Sequence, residues 1–143
     1  MKHKVFIDTS YLIALLLKKD ARHQDALAAV ATNDDFFVTT DLVLVELANS
    51  LSLPSFRAVV VSAIERIKAD PNTTVVPFTG EGMDKALSLF KSRADKSWGL
   101  IDCFSFVVMK ENRVRRAFTF DDHFRQAGFE TPLISGGNLG GKD

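Results

Sequence analysis

At 143 residues the chain is the size of one domain, and roughly two-thirds of its unfolded surface can be buried, enough for a core without staples. Lysine plus arginine balances aspartate plus glutamate at 18 each, so no overall positive field attracts a polyanion, and the single cysteine, Cys103, excludes an internal disulfide or a multi-cysteine zinc cluster. Lys2 and Lys4 before an apolar run imitate a secretory leader, but Asp8, Thr9 and Ser10 interrupt the run and Tyr11 to Leu17 is too short to span a bilayer, so a soluble cytoplasmic protein without membrane contact is expected.

Val5-Phe6-Ile7 reads as a short buried strand ending at Asp8, with Thr9 or Ser10 placed to cap the helix that follows. Ser10 to Leu17 and His23 to Ala31 carry apolar residues at helical spacing and form a hairpin hinged around Lys18 to Arg22. Phe36-Phe37-Val38 is a second strand. Thr40 and Asp41 begin a helix over Leu42 to Leu51 whose single charge is Glu46. One turn before it lie Leu42 and Val43, one turn after it Asn49 and Ser50, a half-apolar face that points the glutamate into a cleft. Pro54 breaks the chain, and Ser55 is placed to cap a helix running to about Ala69. Asp70-Pro71-Asn72 turns into a strand at Thr73 to Val76. Thr79 with Gly80-Glu81-Gly82 opens a helix from Met83 to Arg93.

Ser97 to Gly99 precede a strongly apolar helix from about Leu100 to Lys110, which carries Asp102 in its first turn. Asn112 to Arg116 is a polar link, Ala117-Phe118-Thr119 a strand, and Asp121 lies just past it. Asp122 to Gln126 is a helical turn closed by Gly128, and Thr131 to Ile134 a last edge strand. Strands separated by helical segments along the whole chain imply an α/β fold, a three-layer sandwich with a mostly parallel sheet of four to five strands between helices. The domain is expected over residues 1–135, and the glycine-rich stretch 136–143 is expected to be a flexible tail.

In such sheets ligands bind at the carboxyl ends of the strands, where these assignments put Asp8 and Asp121. Asp102, among Leu100, Ile101, Cys103, Phe104 and Phe106, needs a partner beyond the helix dipole, which supplies only about 0.3 to 1 kcal/mol. Each acid alone reads as a cap or a surface charge. Together with Glu46 they form a set that one crevice can gather, and like charges so gathered destabilise the fold unless a cation is bound. An all-oxygen site without histidine or thiolate suits Mg²⁺ or Mn²⁺ rather than zinc. One or two such ions, about 3.5 to 4 Å apart if two, can lower the pKa of a water and hold a phosphodiester in line. Thr9, Ser10, Ser97 and Thr119 are nearby hydroxyls that can order water or phosphate, with helix capping as the default role of each.

The segments Phe6-Ile7-Asp8-Thr9-Ser10, Leu44-Val45-Glu46-Leu47-Ala48-Asn49, Leu100-Ile101-Asp102-Cys103 and Thr119-Phe120-Asp121-Asp122-His123-Phe124 resemble, in order and spacing, the four acidic motifs of the PIN-domain nucleases. The short length and the last two motifs are most similar to the VapC toxins of toxin-antitoxin modules. The resemblance implies a PIN-like α/β fold, endoribonuclease activity on RNA with Mg²⁺ or Mn²⁺, a homodimer, and a cognate antitoxin that inserts a segment near the site. It makes Asp8, Glu46, Asp102 and Asp121 the catalytic and metal-binding quartet, with Asp8 and Asp102 as direct ligands. Asp122 stands where the family often has a basic residue, and Asp121 is preferred over it by spacing.

His123 reads first as a packing or capping residue and second as a base. Trp98 is equally a core cover or a base-stacking platform. Lys96, Arg115, Arg116 and Arg125 are solvated surface by default and phosphate contacts otherwise. Tyr11, Leu12, Leu15 and Leu16 serve either the core or a dimer or antitoxin surface. Two rival functions remain: a PIN-like protein-interaction module with weak or no nuclease activity, and a phosphotransfer domain. The second of these needs a further acid beside Asp8 and a lysine near the last strand, whereas the chain has Thr9 and Ser10.

Overall fold

A computed structural model describes residues 3–31 and 35–134; the expected tail, 136–143, lies outside the described residues. Strand β1 (Lys4–Ile7) is followed by helices α1 (Thr9–Leu16) and α2 (His23–Ala31). Strand β2 (Phe36–Thr40) leads into α3 (Asp41–Ser50) and α4 (Pro54–Ala69), and β3 (Thr73–Val76) into α5 (Gly80–Ser92) and α6 (Leu100–Glu111). Strand β4 (Arg116–Phe118) and the short α7 (Asp122–Gln126) complete the chain. No helix among the described residues is long and apolar enough to cross a membrane.

The four strands are parallel in the order β3-β2-β1-β4, with Val5 opposite both Phe37 and Arg116 and Ile7 opposite Phe118. Parallel sheets need cover on both faces, which is why Val5, Phe6 and Ile7 are all buried rather than alternating. Successive side chains point to opposite faces. Phe6 meets the Phe124 ring of α7, which in turn meets Phe106 of α6, while Ile7 lies against Tyr11 and Leu12 of α1. The chain lays down β2 and β3 on one side of β1, then crosses to place β4 on the other. The order therefore reverses at β1, and the crevice formed by that reversal opens at the carboxyl ends of β1 and β4.

Several local expectations are corrected. Thr131 to Ile134 is not a strand: Glu130 makes a single parallel bridge to Arg116, and Ile134 N–H then closes a turn onto the Thr131 carbonyl. Pro132 has no N–H to give a ladder and stops the pairing there. Pro54 does not merely break the chain; it is the first residue of α4, where its missing N–H is harmless, and Ser55 lies inside the helix instead of capping it. Thr9 and Ser10 likewise fall inside α1, with Asp8 at the N-cap position. Thr40 and Thr79, expected where helices begin, are the N-caps of α3 and α5, their hydroxyls accepting from Val43 N–H and Gly82 N–H.

Candidate active site

Asp8 leaves β1 at the point where β1 and β4 part, its N–H donating to the Phe118 carbonyl at 3.1 Å. The residue is 6% exposed, and two hydroxyls hold its Oδ2: Thr119 Oγ1 donates at 2.8 Å and Ser10 Oγ at 3.0 Å. Burial pushes the carboxyl up to about 6; the hydroxyl bonds from Thr119 and Ser10 pull the other way, and the charge of Asp102 adds to the rise. A carboxylate that keeps its charge so reluctantly calls for a cation.

Ser10 and Thr119 do more than hold Asp8. Ser10 Oγ accepts the Phe120 N–H at 2.9 Å, and Thr119 Oγ1 accepts the Asp121 N–H at 2.9 Å. The turn after β4 is thereby tied to the turn after β1, which fixes Asp121 beside Asp8. These hydroxyls serve the site and not the helix cap to which local pattern assigned them. Thr9 is spent the same way, its Oγ1 donating to Glu46 Oε1 at 2.6 Å, which draws the α3 glutamate toward the same crevice. Its other oxygen, Oε2, has no hydrogen-bond partner among the described residues.

Asp102 sits at the third position of α6, and its Oδ2 accepts the Gly99 N–H at 3.1 Å, the carboxylate half of a capping arrangement. The same oxygen meets His123 Nδ1 at 2.8 Å, and that nitrogen is 3.3 Å from Asp121 Oδ1. Burial raises the Asp102 carboxyl above the ordinary range; the His123 and Gly99 bonds oppose this, and the charge of Asp121 reinforces it. Asp102, Asp121 and His123 can each turn a ligand atom within 4.8 Å of the others. The histidine thus belongs to the acidic cluster, a correction to its reading as a packing residue. Its place two residues after Asp121, in the first turn of α7, was the available signal.

Asp121 also caps α7, accepting the His123 N–H at 2.9 Å. Asp122 turns away into an ion pair with Arg125 at 2.7 Å, which holds its carboxyl below the usual range. That pair, three residues apart on a helix, was readable from spacing and separates the two neighbouring acids. Trp98 is buried, with Nε1 donating to Gln126 Oε1 at 3.1 Å and the ring edge-on to Phe106, so it covers the core. Arginines flank the crevice: Arg22 lies 5.1 Å over the Phe120 ring and Arg93 5.1 Å over Trp98, the latter paired with Asp95. Cys103 is buried, as expected of a core residue.

The donors fit a hard divalent cation. Carboxylates from α6 and the β4 end cluster with the His123 imidazole, and the Asp8 carboxylate at the end of β1, its rotamer fixed by two hydroxyls, is coupled to Asp102 by charge.

Comparison with known proteins places this geometry among relatives. The PIN domain profile matches residues 5–130. The chain is 29% identical over 126 residues to the 23S rRNA-specific endonuclease VapC20 of Mycobacterium tuberculosis, in strains CDC 1551 and H37Rv alike, an alignment covering 87% of this chain and 95% of the relative. The crystal structure of that VapC20, described as a Sarcin-Ricin loop cleaving toxin, superposes with a TM-score of 0.80 at 27% identity, covering 87% of this chain and 95% of that one. VapBC2 of Rickettsia felis, bound to a DNA fragment from its promoter, superposes with a TM-score of 0.61 at 14% identity over 92% of this chain and 95% of that one, a likeness of fold.

Proposed function

We propose that this chain, which belongs to the PIN-domain family, is a metal-dependent endoribonuclease and the toxin half of a toxin-antitoxin pair. The observation that supports the reading is the cluster of Asp102, Asp121 and His123, to which Asp8 is tied through Thr119 and the charge of Asp102, with burial raising the carboxyls of Asp8 and Asp102. Asp8, Asp102 and Asp121, with Glu46 at the margin, would hold Mg²⁺ or Mn²⁺. A cation held there would offset the phosphodiester's charge and lower the pKa of a water, the chemistry needed to replace one P–O ester bond of RNA by a P–O bond from that water. Thr119 and Ser10 lock the Asp8 carboxylate in one rotamer, and His123 Nδ1 does the same for Asp102. Glu46 Oε2 is the acceptor for a proton leaving the attacking water, its partner oxygen held by Thr9. The catalytic unit spans residues 1–135 and works in the cytoplasm.

The antitoxin has a surface suited to it. An apolar groove of about 550 Å³ runs between α1, α2 and α4, lined by Leu12, Leu15, Leu16, Leu27, Val30 and Ile67 among others. Leu27 and Val30 are 42% and 49% exposed, costly for a chain that works alone. A second copy of the chain has its own candidate face, the stripe Met83, Leu87 and Phe90 at helical spacing on α5.

The deciding experiment is cleavage of a structured RNA pool that includes ribosomal RNA, with Mg²⁺, Mn²⁺ or EDTA. Cleavage is expected with either metal, not with EDTA, and to fall at least 100-fold in Asp8→Asn and Asp102→Asn variants that keep the native circular dichroism, roughly the size of effect that loss of a catalytic acid-base group has. Full activity in both variants would overturn the assignment.

A further inference from the structure

The sheet has a second end. At the amino ends of β1 and β4, opposite the acids, a pocket of about 300 Å³ is lined by His3, Lys4, Arg113, Arg115, Arg116 and Glu130. Lys4 opens β1 and Arg116 opens β4, with Val5 and Arg116 in register, so the parallel pairing itself brings the cations together. Lys4 Nζ donates to the Asn112 carbonyl at 3.3 Å, and Arg116 Nε meets Glu130 Oε1 at 3.3 Å. Arg113 and Arg115 have no acidic partner among the described residues, and Asp35 at this edge accepts the His3 N–H. One carboxylate in the pocket thus faces four permanent positive charges, in a chain whose total charge is zero.

The backbone adds an independent observation. Arg113 has φ +58°, in the left-handed region that favours glycine, and it ends α6 by donating its N–H to the Lys110 carbonyl. An arginine held where glycine fits better lines the pocket, and strain of this kind collects at functional positions.

We propose that this pocket binds phosphate groups, and that RNA engaged at the acidic crevice is their source. The phosphate chemistry stands on the pocket; only the RNA source rests on the nuclease reading. The acids repel a polyanion until a cation is bound, so cations away from them add to the affinity for RNA. The pocket and the acids lie at opposite ends of β1, about 13 Å of strand apart, so an RNA spanning both must be folded or several nucleotides long. A minimal substrate reaches the acids alone.

Binding in EDTA, where the proposed chemistry is silent, separates failure of this proposal from failure of the nuclease assignment. Fluorescence anisotropy with a labelled structured RNA between 50 and 200 mM salt compares the native chain with Arg113→Gly/Arg115→Gln, in which glycine suits the backbone. The variant is expected to bind about tenfold more weakly, with a salt slope lower by about 1.4 for two single-strand phosphates lost. Glu130→Gln, which removes the pocket's carboxylate, is expected to bind about threefold more tightly, a change that misfolding does not mimic. Thermal shift with pyrophosphate supplies the second arm. If the double variant loses the pyrophosphate response but keeps RNA affinity, the pocket is a phosphate site for a free ligand, and RNA as its source is refuted. If all three proteins respond identically to both probes, the pocket binds no phosphate and the proposal falls.

Discussion

Asp8 is where folding and function oppose each other. Its carboxyl titrates at about 6 in the folded chain against 3.8 unfolded, raised chiefly by burial. Between those values the folded state keeps a proton that the unfolded state has lost, so stability falls as pH rises through the window and stays lowered above it. The penalty is of order 2 to 3 kcal/mol. Asp8→Asn is therefore expected to stabilise the cation-free protein by up to about that amount at pH 7.5 and by almost nothing at pH 3.5, as read from urea unfolding. Mg²⁺ or Mn²⁺ should raise the melting temperature of the native chain above pH 6 and lose that effect as Asp8 takes up its proton. Thr119 has a separate consequence. Its hydroxyl donates to Asp8 and accepts from Asp121 N–H, so Thr119→Val removes a partner from a part-buried N–H and from the Asp8 carboxylate, at a cost of about 1 kcal/mol. Cleavage should fall with it, because Asp121 loses its tether.

Between elements, α5 meets α6 with almost no room at Gly82. A Cβ at Gly82 would stand 2.7 Å from Phe104 Cε1, and that ring already meets Phe78 edge to face at 4.8 Å between centroids. Gly82→Ala is expected to cost about 1 to 3 kcal/mol in urea unfolding while leaving metal-dependent cleavage intact, since neither ring belongs to the acid cluster. Elements of this kind were legible in the chain where local chemistry sets them. All four strands stand within two residues of their β-branched and aromatic runs, and Thr40 and Thr79 cap as their positions suggest. Expectation failed where a distant partner outbids a local one. The hydroxyls of Thr9 and Ser10 looked like caps, but Thr9 bonds to Glu46, 37 residues away, and Ser10, besides holding Asp8 two residues back, accepts the Phe120 N–H, 110 residues away, partners that no short window of sequence contains. His123 joined the acids for the same reason. Asp8, Asp102 and Asp121 could be grouped because strand ends and a helix start are topological positions, and topology follows from the alternation of elements.

For the whole molecule, zero net charge conceals a dipolar layout, with acids at the carboxyl end of the sheet and cations at the amino end. The apolar groove proposed for an antitoxin can be tested at residues that carry little of the fold. Leu27→Glu/Val30→Glu, both partly exposed, should leave the melting temperature within a few degrees and abolish co-purification with the adjacent gene's product. Unchanged capture would remove this groove as the docking surface. A last consequence follows from the bond between Ser10 Oγ and the Phe120 N–H, which joins two points 110 residues apart. During synthesis, a nascent chain that has emerged through α5 carries Asp8 and Glu46 but neither Asp102 nor Asp121, and the sheet still lacks β4. The acid cluster is thus completed last, with the final strand, and a growing polypeptide holds only part of it until α6, β4 and α7 have all emerged.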